Sequence, residues 1–213
     1  MRIVCFVLIS LFLSHAHAET TRNLLKTDAV AYNYLDADGN IIAGKTYGDA
    51  TGRALSDGVI GNKSVVKTRD WNNLLRKNVR VLYDFGRPVT MDKVVVWRLW
   101  GHDDRHWIDR YKIMAGNTLK TLKPVEARIN DQRNRKNAEP VTITLPNTKA
   151  KYLRIDMEQD ADPGHWMIAI SEIEVFGPKT DFESLRTGSK DALLVKIPRH
   201  YPCNMFATGK PVA

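Results

Sequence analysis

The sequence predicts an all-β chain: a jelly-roll β-sandwich of about eight antiparallel strands, closed by a C-terminal extension. Three observations predict it. Between residues 79 and 175, apolar side chains recur at every second position in short runs. Turn-forming pairs and triplets separate those runs, and no helical periodicity lies between them. Period-two alternation of β-branched and aromatic residues marks half-buried strands. A parallel α/β fold would need a crossover helix after most strands, and the spacing leaves no room for one.

The runs follow in chain order. Val79, Val81, Tyr83 and Phe85 form the first, with Arg80 and Asp84 between them. Val95, Trp97 and Leu99 form the second, and Tyr111, Ile113 and Ala115 the third. Val141, Ile143 and Leu145 alternate with Thr142 and Thr144, and Leu153, Ile155 and Met157 with Arg154 and Asp156. Ser171, Ile173 and Val175 alternate with Glu172 and Glu174. The separators are Gly86-Arg87-Pro88, Gly116-Asn117, Pro146-Asn147, Pro163-Gly164 and Gly177-Pro178, all turn signals. Trp71 and Trp97 are expected in the core. Residues 24–60 are less regular, and Asp36-Ala37-Asp38-Gly39-Asn40 reads as an Asp/Gly turn. It is no helix-flanked calcium loop, because Tyr47 stands at the twelfth position, where an acidic ligand is required.

Arg2, the apolar run Ile3 to Phe12 and Ala16-His17-Ala18 before Glu19 have the three parts of a secretory signal peptide. The apolar run is about half of the ~20 residues that span a bilayer. The expected division is therefore a signal over 1–18, a domain over 19–178 and an extension or linker over 179–213. The expected location is secreted, periplasmic or extracellular, with no transmembrane segment. Cys5 leaves with the signal, so Cys203 remains without an internal disulfide partner. The formal net charge is +8. The positive residues are scattered, apart from Arg128, Arg133, Arg135 and Lys136, which read as a solvated loop; no nucleic-acid partner is expected.

The segment Trp100-Gly101-His102-Asp103-Asp104-Arg105-His106-Trp107 lies between two predicted strands. Trp faces stack on the apolar face of a pyranose, while Asp, Arg and His exchange hydrogen bonds with its hydroxyls. Trp100, His102, Asp104, Arg105, His106 and Trp107 are thus the candidate sugar-binding residues, with His165 and Trp166 flanking them. The bland alternatives are Trp107 as a hydrophobic plug and Asp104–Arg105 as an ion pair bracing the loop. His102 and His106 lack a third ligand in proper spacing for a transition metal. No nucleophile elbow, zinc-protease helix or phosphate loop occurs. Asp103 and Asp104 are adjacent and diverge on an extended chain, so no paired glycosidase acid and base is visible. No catalytic residue is assigned.

Ala54-Leu55-Ser56-Asp57-Gly58, then Trp71, then Val81-Leu82-Tyr83-Asp84-Phe85-Gly86 resembles the opening of a coagulation-factor type C, or discoidin, domain. Val94-Val95-Val96-Trp97 and Arg110-Tyr111-Lys112-Ile113 resemble its central strands. Ala150-Lys151-Tyr152-Leu153-Arg154-Ile155 and Ile170-Ser171-Glu172-Ile173-Glu174-Val175-Phe176-Gly177 resemble its later ones. The resemblance covers roughly 50–177; the stretches 57–71 and 124–140 depart from the usual pattern. It implies a galactose-binding-like jelly roll with ligand loops at one end, a family that includes family 32 carbohydrate-binding modules and phospholipid-binding domains.

The same resemblance implies one structural Ca²⁺, held by Asp57 and Glu172 with the Ala54 and Ser171 carbonyls beside them. Asn62 or Ser64 would stand where a further oxygen ligand sits. The alternative is that Asp57 only caps its turn and Glu172 is a solvated edge charge. The expected partner is a carbohydrate or glycoconjugate, with a partner enzyme or envelope protein as a further associate. The competing reading is an adhesive or structural module that binds anionic lipid or protein in an envelope assembly.

Overall fold

The computed structural model describes residues 20–35, 38, 46–47, 49, 52–61, 71–74, 78–99, 108–129, 139–159 and 168–188. Among them are nine strands: β1 (Thr21–Asn23), β2 (Ala31–Leu35), β3 (Thr46–Tyr47), β4 (Asn72–Leu74), β5 (Asn78–Arg98), β6 (Arg110–Gly116), β7 (Lys123–Ile129), β8 (Glu139–Glu158) and β9 (Ile168–Pro178). All pair antiparallel. The expected all-β architecture is what the chain adopts.

Two long strands make the sandwich. The first part of β5 pairs with β2 (Leu35↔Arg80 to Ala31↔Asp84) and with the last part of β8 (Asn78↔Glu158 to Asp84↔Tyr152). The end of β8 also carries β6, which carries β7. The second part of β5 pairs with the start of β8 and with β9 (Lys93↔Phe176 to Arg98↔Ile170). The far edge of β9 takes β4 at one end and β1 at the other.

Each long strand thus passes from one layer into the next. The sequence signals Gly86-Arg87-Pro88 and Pro146-Asn147 are therefore bends within strands, not hairpin ends. Gly86 has φ +74 and Asn147 φ +50, and register shifts fall between Asp84 and Val89 and between Met91 and Lys93. Bulges of this kind let a strand turn the corner of a sandwich. At the first bend the Asp84 carboxylate accepts the Gly86 N–H at 2.7 Å, a local turn that Asp favours.

The alternating runs supply the core. Val79, Val81, Tyr83 and Phe85 are at most 1% exposed, and Ile113, Leu153, Ile155, Met157, Ile173 and Val175 join them in one cluster. The second run is out of phase with the expectation. Val94 and Val96 enter this cluster, whereas Trp97 is only half-buried and its Nε1 donates to Glu174 Oε2 at 2.9 Å. The irregularity between Met91 and Lys93 shifts the alternation by one residue, which turns a strand's faces over. Trp71 is buried as expected.

The extension begins with helix α1 (Lys179–Thr187), which the sequence reading does not foresee. Phe182 packs on the core and Leu185 is buried. Asp181 Oδ2 accepts the Thr90 N–H at 2.7 Å, pinning the helix to β5. Beside it, Gly177 is a close-approach position. A Cβ there would stand 2.2 Å from the Thr90 carbonyl oxygen and 3.0 Å from Leu24 Cδ1. Gly177→Ala is expected to destabilise the domain by about 1–3 kcal/mol through overpacking against backbone, read as a lower urea midpoint at unchanged slope.

Candidate functional site

One end of the sandwich gathers the chain's candidate binding segments. β5 leaves at Arg98, level with Ile170 of β9, and the Leu99 N–H donates to the Ala169 carbonyl at 3.0 Å. β6 is entered at Arg110, level with Glu158 at the end of β8, and the Asp109 N–H donates to the Glu158 carbonyl at 2.8 Å. The segments 100–107 and 160–167 therefore start and finish on neighbouring strands at the same end. The starts of β4's return and of β8 lie there too, since Leu74 pairs with Ile168 and Arg98 with Glu139. Trp100, His102, Asp104, Arg105, His106, Trp107, His165 and Trp166 themselves lie outside the described residues, as does most of the Asp/Gly turn 36–40 and Cys203.

Below that end lies a layer the sequence reading missed. Trp71, Leu99 and Ala169 form a small apolar cluster apart from the main core. Around this level four polar residues are almost wholly buried: Asn72, Arg98, Asp109 and Gln159. Burial of such groups costs several kcal/mol unless they are bonded, and together they form a polar floor beneath the ends from which both segments depart. The available signal was Arg98, a charge closing the apolar run Val94 to Trp97. Arg110 Nε reaches Glu158 Oε2 at 3.1 Å at the rim.

The residues assigned to calcium stand along the free edge of β9. There the loop 53–61 covers the gap between β1 and β4, and the Ile173 N–H donates to the Leu55 carbonyl at 2.8 Å. Glu172 is 1% exposed, so it is no solvated edge charge. Its Oε1 accepts the Lys26 ammonium at 2.8 Å and its Oε2 the Gly58 N–H at 3.1 Å. Burial raises the carboxyl's pKa, against the pull of the Lys26 and Gly58 bonds. Asp57 is exposed and its Oδ1 accepts the Val59 N–H at 2.8 Å, the turn-capping alternative. The Ser171 hydroxyl donates to the Trp97 carbonyl at 3.4 Å. Ala54 is half-buried, while Asn62 and Ser64 lie outside the described residues. Ca²⁺ takes six to eight oxygens. Among the described residues no group of three or more His, Cys, Asp or Glu side chains stands together, and both Glu172 oxygens are engaged. In this arrangement an ion would compete with the Lys26 ammonium for the same Glu172 oxygen.

Asp49 organises the other end of the same loop. Its Oδ2 accepts the hydroxyls of Tyr32 at 2.7 Å and Tyr34 at 2.8 Å, and its Oδ1 accepts the N–H groups of Arg53 at 3.0 Å and Ala54 at 3.1 Å. The Tyr32 hydroxyl in turn accepts the Leu55 N–H at 3.0 Å. Tyr32 stands edge-on to Tyr34 and tilted against Tyr83.

The profile of the F5/8 type C domain family matches residues 41–173. A fucolectin from striped bass (Morone saxatilis) serum shares the fold with TM-score 0.53 at 14% identity, over 74% of this chain and 49% of its own. The family 32 carbohydrate-binding module of NanJ from Clostridium perfringens, in complex with galactose, gives 0.52 at 12% identity, over 74% and 99%. A histidine mutant of the lectin-binding domain of lectinolysin, complexed with Lewis b, gives 0.52 at 13% identity, over 74% and 97%. The search of curated proteins finds no match.

Proposed function

Because the chain belongs to the F5/8 type C domain family, we propose that it is an exported glycan-binding module whose contacts come from the segments 100–107 and 160–167. Domains of this family are non-catalytic binding modules. One observation supports the assignment of the end: the Arg98↔Ile170 register, closed by the Leu99–Ala169 hydrogen bond, sets the strand ends that flank the two segments beside each other. Those segments hold the chain's densest mixture of Trp, His, Asp and Arg, the side chains that stack on and hydrogen-bond to sugars. The galactose and Lewis b complexes of proteins with the same fold support this ligand class. No helix among the described residues is long and apolar enough to cross a membrane. The apolar leader Ile3 to Phe12 supports export.

The test is a glycan array, galactosides and fucosides first, with the parent and with Trp107→Ala and Arg105→Ala variants confirmed as folded by circular dichroism. Each variant is expected to weaken the hits by roughly tenfold or more. Parent-like binding by both would remove the site assignment. Sedimentation with anionic liposomes and no glycan hit would replace it with the membrane-adhesive reading.

A further inference from the structure

We propose that the Lys26 ammonium serves this domain as a built-in cation: it clamps the loop 53–61 onto β9, where a bound divalent ion would otherwise do so, and makes the fold independent of calcium. Lys26 closes the short 3-10 turn Leu24–Lys26 that follows β1. Leu24 and Leu25 are buried, so the turn is anchored and delivers its third side chain to the β9 edge. From there the ammonium donates to Glu172 Oε1 at 2.8 Å and to the Ser56 carbonyl at 3.2 Å. It thus joins three separate segments: the turn after β1, the loop and β9.

The ligands it takes are a buried carboxylate oxygen and a backbone carbonyl, the hard oxygen donors that suit Ca²⁺. The second carboxylate oxygen holds the same loop through the Gly58 N–H. Gly58 has φ +89, and a Cβ on it would stand 2.6 Å from the ammonium nitrogen. The loop is therefore wrapped closely around a cation already present. A divalent ion at the same oxygens would have to displace the ammonium or bear its repulsion at contact distance. Glu172 also has little access to water, with a side chain 1% exposed against 35% for Lys26. The carboxylate accordingly needs a standing counter-charge, and the lysine provides one that cannot diffuse away.

Thermal melts of the full domain in calcium chloride and in chelator test this. The parent is expected to melt at the same temperature in both. Lys26→Ala is expected to melt several degrees lower in chelator and to regain part of the loss in millimolar calcium, which can then reach Glu172 and Ser56. Lys26→Arg, which keeps the charge, is expected to stay calcium-insensitive. A parent melting point that rises with calcium overturns the proposal. So does a Lys26→Ala variant as stable as the parent, or one that calcium leaves unchanged. If Lys26→Ala does not fold under either condition, the parent's melts decide: a flat response supports the built-in cation and a calcium-dependent rise refutes it. None of these readouts involves glycan, so they stand apart from the array result.

Discussion

Above pH 10 the domain is expected to lose stability at about 4 kcal/mol per pH unit, far more steeply than a surface-charge effect. Tyr32, Tyr34 and Tyr83 all have pKa values raised well above the ordinary 10.0, in each case chiefly by burial. The charge of Asp49 works in the same direction on all three, with Glu172 adding to it at Tyr83. The sign follows from linkage. Below the unfolded-state value the hydroxyls are protonated in both states and the stability is complete. As pH rises past it, the unfolded chain releases protons that the folded chain keeps. Each tyrosine then removes about 1.4 kcal/mol per unit, until the folded-state value is reached. The tyrosinate absorbance of these three rings, read as the difference between the parent and its Tyr→Phe variants, should therefore appear together with the loss of β-sheet ellipticity, not before it. Tyr83→Phe is expected to lower the slope by about a third. A gradual tyrosinate signal from all three rings in a still-folded protein would show that they are not sealed.

Asp49→Ala is expected to cost about 3–5 kcal/mol. The substitution strips two tyrosine hydroxyls and two backbone N–H groups of one acceptor. Hydrogen bonds to a charged group contribute about 1.5–3 kcal/mol each, and an unmet buried donor carries its own penalty. Because Asp49 is only partly buried, water recovers some of that loss, which keeps the figure below the simple sum. For a domain of this size the melting temperature should fall by roughly 6–20 °C. Asp49→Asn, which keeps one acceptor oxygen, should fall between the two. An Asp49→Ala protein that melts with the parent would mean the loop is held by β9 alone.

The layered β architecture was legible because burial on one face writes itself into the chain as alternation, and the runs at 141–145 and 153–157 map directly onto buried faces. The continuity of β5 and β8 was not legible. A glycine and a proline at 86–88 signal a reversal and a bend equally well, and only the partner strands decide between them. The same blind spot misplaced Trp97, since a bulge upstream inverts every later side chain. Glu172 was singled out as a calcium ligand, whereas its ion pair with Lys26, 146 positions away, was not legible. Asp49 gathers partners from 4 to 17 positions away that carry no shared motif. Long-range pairing of single polar residues leaves no period in the sequence. The aromatic stretch 100–107 stood out by composition alone, and the strands on either side of it now fix where it begins and ends.

The pairing of Thr21 with Pro178 sets the geometry of attachment. The chain enters and leaves the sandwich as neighbours at the tail of β9. The segments proposed to carry the glycan contacts open at the opposite end, near the head of β9 at Ile168, ten residues and about 33 Å away. A partner joined next to Thr21 would therefore attach at the end of β9 opposite the proposed contacts, as a grip and a blade occupy opposite ends of a tool.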